Sequence, residues 1–236
     1  MEASSNSIPK HVGIILDGNR RFAKRLMLKP WKGHEFGAEK VKKLLEWSKD
    51  VGIKELTLYA FSYENFNRPK KEFEYLMDLF RKEFDKLIDN KDISKNEIKI
   101  NFIGRLQLFP KDLKEKMYKI IDKTKNYNKY IVNIAMAYGG RAEIVDAVKR
   151  IGEKIKEGSL DVKNINEKLF SDNLYMSDDA DLIIRTGGEK RTSGFLPWQG
   201  TYAELVFVDK SLPEFEKEDF LQCIKEFQGR KRRFGK

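Results

Sequence analysis

Six short apolar segments recur along the chain, and several of them are apolar at almost every position. They cover residues 12–16, 55–61, 98–103, 130–137, 181–185 and 202–208. Each has the length of a β-strand, and near-continuous apolarity is typical of strands that are covered on both faces of a sheet. The pattern therefore predicts six strands in the interior of the protein.

Stretches with helical spacing separate these segments. Apolar residues three and four positions apart predict helices over about 35–51, 71–89 and 216–228, with two more around 113–121 and 144–155. The longest apolar stripe lies in the second of them and comprises Phe73, Leu76, Met77, Phe80, Phe84, Leu87 and Ile88. Because strands alternate with helices, the sequence predicts an α/β fold with a mainly parallel central sheet flanked by helices.

The chain shows no internal repeat, no low-complexity linker and no break in composition. We therefore expect a single domain over residues 1–236, with a flexible N-terminus at 1–10 and a basic C-terminal tail at 229–236. The apolar runs are far shorter than the roughly 20 residues that span a bilayer, and the polar start lacks the features of a signal peptide. The single cysteine, Cys223, can form neither an internal disulfide nor a zinc cage. We expect a cytoplasmic protein.

The net charge favours anionic partners. Lysine and arginine outnumber acidic residues by 47 to 37, which gives +10 at pH 7. Nucleic acid, acidic membrane surfaces and phosphorylated small molecules all fit this excess. A nucleic-acid protein would need a basic face with interleaved aromatic residues, whereas the arginines of this chain cluster after the predicted strands. We therefore expect no nucleic-acid partner.

The segments after four of the predicted strands are rich in glycine, small polar residues and arginine. They cover residues 17–21, 61–69, 138–141 and 185–189. In parallel sheets, ligands bind at the carboxyl ends of the strands. Arg185 and Arg191 supply two guanidinium groups, whose geometry matches diphosphate oxygens, and Ser193 supplies a hydroxyl. The strand ends therefore predict a phosphate-binding site.

Asp17 ends the first predicted strand and is followed by Gly18 and Asn19. Glycine allows a ligand to approach closely, and a helix start offers free N–H groups to an anion. A carboxylate beside a phosphate needs a cation between them, and Mg²⁺ is the usual one. The alternative is that Asp17 only caps a helix. A phosphatase of the haloacid dehalogenase type would need a second aspartate where Asn19 stands.

Six segments of the chain together resemble the cis-prenyltransferases, the family of undecaprenyl and dehydrodolichyl diphosphate synthases. They are HVGIILDGNRRFA (11–23), GHEFGA (33–38), LTLYAFSYENFNRP (56–69), NIAMAYGGR (133–141), LIIRTGGEKRTSGFLPWQ (182–199) and YAELVF (202–207). Together with Arg233-Phe234-Gly235 near the end of the chain, they span residues 11–235 in the family's order. The resemblance implies a six-stranded, mainly parallel sheet and a homodimer.

The implied activity is the sequential condensation of isopentenyl diphosphate with an allylic diphosphate starter, each new double bond being cis. The product would be a long-chain polyprenyl diphosphate, such as undecaprenyl diphosphate, which serves as a glycosyl carrier lipid. Mg²⁺ is the implied cofactor. The helix over 71–89 would line the tunnel that accepts the growing chain. Release of a lipid product implies transient, peripheral contact with a membrane.

The resemblance also implies roles for individual residues. Asp17 and Glu204 would bind the metal, and Asn65, with Ser62 nearby, would position the isopentenyl group for proton loss. Asp17 and Asn65 are thus the expected catalytic residues. The starter's diphosphate would be held by Gly18, Asn19, Arg20, Arg21 and His34. Isopentenyl diphosphate would be held by Arg185, Arg191 and Ser193.

Three further elements carry implied roles. Phe66, where many members have tryptophan, would form an apolar wall against the allylic chain, and Arg68 would add a polar contact. The terminal Arg233-Phe234-Gly235 resembles the family's Arg-x-Gly element, which reaches the partner subunit's site.

Departures from the bacterial pattern point to an archaeal type of enzyme. Arg20 replaces a glycine, Pro30 and Trp31 lie where bacterial enzymes often place an arginine, and Lys190 replaces a histidine. An archaeal type makes geranylgeranyl diphosphate a plausible starter, against farnesyl diphosphate, and the sequence leaves both open.

The main rival interpretation is a non-catalytic or partner-dependent subunit of a heteromeric cis-prenyltransferase. Such subunits typically lose the Asp-Gly-Asn motif, whereas this chain keeps it at residues 17–19. We therefore expect a self-sufficient homodimer.

Overall fold

The computed structural model describes residues 8–230 and contains one six-stranded sheet within them. The strands are β1 (His11–Ile15), β2 (Glu55–Ser62), β3 (Ile98–Ile103), β4 (Tyr130–Tyr138), β5 (Leu182–Arg185) and β6 (Glu204–Phe207). Their order is β3-β4-β2-β1-β5-β6, and every neighbouring pair is parallel. The predicted strands and the parallel sheet are confirmed, with strand ends within two residues of the predicted ones.

Eight α-helices lie between the strands or after the last one in this part of the chain. They are α1 (Asn19–Arg25), α2 (Gly33–Val51), α3 (Lys70–Asp89), α4 (Lys91–Lys95), α5 (Lys111–Thr124), α6 (Gly140–Lys156), α7 (Glu167–Asp172) and α8 (Lys217–Gly229). The five long helices are the predicted ones. The helix that the sequence analysis expected after Asp17 is α1, whereas α4 and α7 were missed, because helices this short show no measurable apolar period. His34, expected just before a helix, is the second residue of α2.

Alternate residues of the strands supply two apolar clusters, one on each face of the sheet. Val12 and Ile14 of β1 join the larger cluster with the apolar faces of α2, α3, α5 and α8. Ile15 joins the smaller cluster on the opposite face, with Phe195 and Leu196. Both faces of the central strands are therefore covered, which explains their near-continuous apolar sequences. No helix within residues 8–230 is long and apolar enough to cross a membrane.

The single-domain expectation over 1–236 stays a prediction. Residues 1–7 and 231–236, which include most of the expected flexible N-terminus and basic tail, lie outside the described residues.

Two glycines bring α2 against the turn that follows β1. A Cβ added at Gly33 would lie 1.9 Å from the carbonyl oxygen of Asn19, and one at Gly37 would lie 2.4 Å from its Oδ1. Asn19 is buried, and its Nδ2 donates a hydrogen bond to the carbonyl of Leu16 at 3.1 Å. The close contact fixes the start of α2 beside the end of β1, where the candidate site lies.

A matched pair of glycine substitutions tests this contact. We expect Gly37→Ala to lower the free energy of unfolding by about 1–3 kcal/mol, because the new methyl group overlaps the buried Asn19 side chain. Gly152→Ala on α6, where nothing lies within 4 Å of the added Cβ, should instead raise it by up to about 1 kcal/mol. Urea denaturation measures both. Equal effects of the two substitutions would contradict the proposed close packing.

Candidate active site

A cavity of about 1150 Å³ begins at the carboxyl ends of the central strands and passes between the sheet and the helices α2 and α3. Its mouth is lined by polar residues, namely Asp17, Asn19, Arg21, His34, Ser62, Glu64, Asn65, Arg68, Arg185, Glu189, Arg191 and Ser193. Mostly apolar residues of α2, α3, β2, β3 and β4 line the deeper part. Such a cavity suits a ligand with a charged head and a long apolar tail.

Asp17 lies at the mouth among hydrogen-bond donors. Its Oδ2 accepts a hydrogen bond from Nη2 of Arg185 at 2.8 Å and lies 3.2 Å from Nη2 of Arg21. Its Oδ1 accepts a hydrogen bond from the amide of Gly18 at 2.6 Å. Burial acts to raise the pKa of Asp17, but these hydrogen bonds and the two guanidinium charges outweigh it and hold the pKa below its ordinary value of 3.8. Asp17 is therefore ionised at neutral pH.

The capping alternative for Asp17 does not hold. The N-cap residue of α1 is Gly18, with a φ of 96°, and no side chain caps this helix. The positive φ favours glycine. An added Cβ would also lie 2.6 Å from the Cβ of Ser211, so the turn needs glycine for space as well.

Arg185 links Asp17 to the loop that follows β5. Its side chain is only 6% exposed, and its Nη1 donates hydrogen bonds to Oγ of Ser193 at 2.8 Å and to the carbonyl of Arg191 at 2.6 Å. Its buried Nε has no hydrogen-bond partner among residues 8–230. Ser193 has a φ of 50°, and such strain in a non-glycine residue is typical of functional sites.

Glu189 neutralises two arginines at the mouth. Its Oε2 accepts a hydrogen bond from Arg191 at 2.6 Å, and its Oε1 accepts one from Arg21 at 3.4 Å. The side chains of the two arginines are 60% and 49% exposed, respectively. A diphosphate can offer the same guanidinium groups more acceptor oxygens in a bidentate geometry. Glu189 thus acts as a counter-ion that an anionic ligand can replace.

A smaller pocket of about 340 Å³ adjoins the mouth. It shares Asp17, Asn19, Arg21, His34 and Arg68 with the large cavity, and Leu16 as well, and adds Gly18, Arg20 and Lys24. Four cationic side chains thus surround a single carboxylate, which favours a polyanionic ligand.

Glu72 holds several residues of this pocket in place. Its side chain is 2% exposed and lies 3.1 Å from Nη1 of Arg68, 3.7 Å from Nε2 of His34 and 3.6 Å from Nη2 of Arg20. The hydrogen bond with His34 and the charges of Arg68 and Arg20 lower the pKa of Glu72 despite its burial. The sequence analysis missed Glu72, because an acidic residue in the first turn of a helix is ordinary.

Ser62 and Asn65 form a reciprocal capping box at the start of the 3-10 helix Tyr63–Asn67. Oδ1 of Asn65 accepts a hydrogen bond from the amide of Ser62 at 3.1 Å, and the Ser62 side chain accepts one from the amide of Asn65. The pairing fixes the orientation of the Asn65 carboxamide at the mouth of the cavity.

Comparisons with known proteins identify the family. A family model described as "Putative undecaprenyl diphosphate synthase" matches residues 15–235. The chain belongs to this family of cis-prenyltransferases. It is 48% identical over 235 residues to the tritrans,polycis-undecaprenyl-diphosphate synthase (geranylgeranyl-diphosphate specific) of Methanocaldococcus jannaschii, covering 98% of this chain and 84% of the relative. The protein of the same name from Pyrococcus abyssi is 49% identical, with 97% and 88% covered.

Two solved structures of the family have the same fold. The lavandulyl diphosphate synthase from Lavandula x intermedia, in complex with dimethylallyl diphosphate, matches with a TM-score of 0.91 and 31% identity over 97% of this chain and 99% of that one. A probable undecaprenyl diphosphate synthase from Campylobacter jejuni matches with a TM-score of 0.81 and 35% identity over 98% of this chain and 100% of that one.

The structure of this cis-prenyltransferase brings most of the predicted site residues together. All of them except Phe66 and Glu204 line the large cavity or the smaller pocket beside it. Asn19 does so with a side chain that also holds the turn after β1, and its buried Oδ1 has no hydrogen-bond partner among residues 8–230.

Phe66 does not line the cavity. Its ring packs at 5.1 Å from Phe61, 5.7 Å from Phe73 and 5.6 Å from Phe109, measured between centroids. This aromatic cluster belongs to the larger core. The ring supports the segment that carries Asn65, and the expected contact between Phe66 and an allylic chain stays a prediction.

Glu204 lies near the amino-terminal ends of the strands, whereas Asp17 lies at their carboxyl ends. It pairs with Leu182 at the start of β5, whereas Asp17 follows Ile15, which pairs with Arg185 at the end of β5. At about 3.3 Å per residue along the strands, the two carboxylates of one chain are well over 10 Å apart. Glu204 instead accepts a hydrogen bond from Arg230 at 2.6 Å. Glu204 and Asp17 of one chain are therefore too far apart to bind the same metal ion.

The residues at the mouth fit a cation held partly by its ligand. No cluster of three or more His, Cys, Asp or Glu side chains within residues 8–230 could hold a metal ion by itself. Mg²⁺, however, is often bound by one or two carboxylates together with substrate phosphates. Asp17 is ionised and partly exposed beside a cationic pocket. Its carboxylate is the kind of donor that such an ion requires.

The pKa of His34 provides a test of the smaller pocket. Burial, with the nearby charges of Arg68 and Arg20, outweighs Glu72 and holds the pKa of His34 below its ordinary value of 6.5. We therefore expect His34 to stay neutral at pH 7, with a titration midpoint below 6.5 in NMR spectra. The chain has two histidines, so His34→Gln identifies the resonance. A midpoint at or above 6.5 would contradict the burial of this imidazole.

Proposed function

We propose that this protein condenses isopentenyl diphosphate repeatedly with geranylgeranyl diphosphate to form a long-chain polyprenyl diphosphate with cis double bonds. The observation that carries the proposal is the continuous cavity, which begins among diphosphate-binding side chains and continues with a mostly apolar lining. It runs from Ser62, at the end of β2, to Lys54, just before that strand begins. Eight strand residues correspond to about 25 Å.

Two groups of cationic and polar side chains at the mouth suit two diphosphates. The smaller pocket, with Arg20, Arg21 and His34, would bind the diphosphate of the starter, so that its tail enters the cavity. Arg185, Arg191 and Ser193 would bind isopentenyl diphosphate, and Arg185 donates hydrogen bonds to both the carbonyl of Arg191 and Oγ of Ser193. Asp17 and Arg185 are in direct contact, which supports two diphosphates binding next to one another.

In the proposed reaction the double bond of isopentenyl diphosphate attacks the allylic carbon of the starter. The starter's carbon–oxygen bond breaks, its diphosphate leaves, and the new allylic double bond forms as a proton is lost from the isopentenyl unit. The arginines stabilise the charge on the departing diphosphate. The mostly apolar cavity limits the access of water to the allylic cation. Asn65, held by Ser62, would orient the isopentenyl group for proton loss.

Mg²⁺ is the proposed cofactor. When bound, it would supply positive charge that stabilises the leaving diphosphate. Asp17 is the proposed ligand of the ion in the same chain. Given the position of Glu204, any contribution of Glu204 would have to come from a second chain.

The choice of starter and product rests on the relatives. The archaeal proteins quoted above are named as specific for geranylgeranyl diphosphate and as synthases of undecaprenyl diphosphate. The lavandulyl diphosphate synthase has the same fold, so the fold alone does not decide product length. The length of the cavity favours the long-chain product for this chain.

The proposed assembly is a homodimer. Val145 and Val148 on α6 expose about half of their surface, at 47% and 55%, which supports a contact on that side of the sheet. The Arg-x-Gly element at 233–235, which lies outside the described residues, would contribute to the partner's site. We further propose a cytoplasmic protein that touches a membrane peripherally and transiently to release its lipid product.

Substitutions at two depths of α3 test the proposal. Leu79 and Leu87 both line the cavity and are about 12 Å apart along the helix, with Leu79 nearer to the mouth. We expect Leu79→Trp to stop elongation earlier than Leu87→Trp, since each indole blocks the chain at its own depth. Incubation with radiolabelled isopentenyl diphosphate, Mg²⁺ and either geranylgeranyl or farnesyl diphosphate, followed by separation of products by length, measures this.

Lys82→Trp is the matched control, because Lys82 lies on the same helix, is exposed and does not line the cavity. Its products should equal those of the wild type. Unchanged product lengths in both leucine variants would contradict the role of the cavity. An absence of incorporation by the wild type with either starter would instead favour a partner-dependent subunit.

A further inference from the structure

The loop between α1 and α2 exposes an unusual run of apolar side chains. Leu26, Met27 and Leu28 are 51%, 97% and 41% exposed, and Phe36 in the second turn of α2 is 43% exposed. Single exposed apolar residues are ordinary on a protein surface, whereas contiguous ones mark contact surfaces. We call residues 26–32 the apolar loop.

The backbone holds Met27 in this exposed position at an energetic cost. The amide of Leu28 donates a hydrogen bond to the carbonyl of Ala23, and the amide of Met27 donates one to the carbonyl of Lys24. These bonds form a Schellman motif, in which the residue at the position of Met27 is usually glycine. Met27 has a φ of 57°, which is unfavourable for a residue with a side chain. A large apolar side chain stands where glycine would be more stable.

All charged residues within the segment 20–34 are positive. Residues 20–34 contain six lysines and arginines and no acidic residue. Four of these cations form ion pairs with acidic residues outside this segment, namely Arg20 with Glu72, Arg21 with Asp17 and Glu189, Arg25 with Glu214, and Lys32 with Glu35. Lys29 lies over the ring of Trp31 instead, with Nζ 5.6 Å from the ring centroid. Lysine and tryptophan together are typical of side chains at the boundary between lipid and water.

The apolar loop lies on the same side of the protein as the active site, at the carboxyl ends of the strands. It follows α1, whose residues Arg20, Arg21 and Lys24 line the smaller pocket, and it precedes α2, whose His34 lines both pockets. A surface that binds this loop would therefore lie beside the mouth where the diphosphate heads are expected.

We propose that the apolar loop docks the protein on an anionic lipid surface. The side chains of Leu26 and Met27 insert among the acyl chains, while Lys29 contacts the headgroup charges. Insertion of apolar side chains combined with attraction of cations is how peripheral proteins bind such membranes. The inference rests on the proposed function only in that a lipid product needs a membrane to receive it.

Met27→Gly gives a sharp test, because it removes the inserted side chain and relieves the backbone. We expect the variant to melt at a higher temperature than the wild type and yet to bind vesicles of phosphatidylcholine and phosphatidylglycerol about tenfold more weakly. Lys29→Gln should weaken binding about fivefold at low salt. The control is Tyr118→Ser on α5, an isolated aromatic residue that is 55% exposed and should not affect binding. Vesicle flotation at low and high salt measures binding.

No binding of the wild type to anionic vesicles would overturn the proposal. So would binding that Met27→Gly leaves unchanged, since another segment would then be responsible. An assay of isopentenyl diphosphate incorporation in the absence of vesicles tests the proposed function separately from the docking surface. Vesicle binding that depends on Met27 supports the docking surface even if no incorporation occurs.

Discussion

The ion pair between Asp17 and Arg185 joins the ends of two adjacent central strands, and the site is built around it. β1 delivers Asp17 and β5 delivers Arg185, with Ile15 and Arg185 in register. The carboxylate attracts Arg21 as well, and Arg185 in turn holds Ser193 and the carbonyl of Arg191. Two groups of cationic and polar side chains therefore meet at one carboxylate. The parallel arrangement of the strands makes this possible, because it brings both strand ends to one edge of the sheet.

The cavity depends on a second constraint, the placement of α2. Gly33 and Gly37 allow α2 to touch Asn19 at the mouth, while the rest of α2 and α3 enclose a cavity against the sheet instead of filling it. An apolar cavity without a ligand lacks the packing contacts that a filled core would provide. The protein forgoes that stability where a growing apolar chain would supply the missing contacts.

Much of this organisation could be predicted from the sequence, because buried parallel strands leave near-continuous apolar segments and short motifs follow their ends. Strand bounds, the long helices and the cluster around Asp17 and Arg185 follow from those signals. Glu72 could not be found in this way, since its contacts with Arg20 and His34 bring distant segments together and leave no local pattern. Phe66 and Glu204 were assigned by motif alone, and motifs do not specify which face or edge of the sheet a side chain occupies.

The dependence of starter binding on Mg²⁺ tests the central role of Asp17 most directly. Calorimetric titration with a non-reactive analogue of geranylgeranyl diphosphate would compare the wild type with Asp17→Asn, each with and without Mg²⁺. We expect Mg²⁺ to tighten binding to the wild type and to have no effect on Asp17→Asn, whose metal-free binding should persist because Arg21 and Arg185 remain. Tightening by Mg²⁺ that survives in Asp17→Asn would contradict a site organised around this carboxylate.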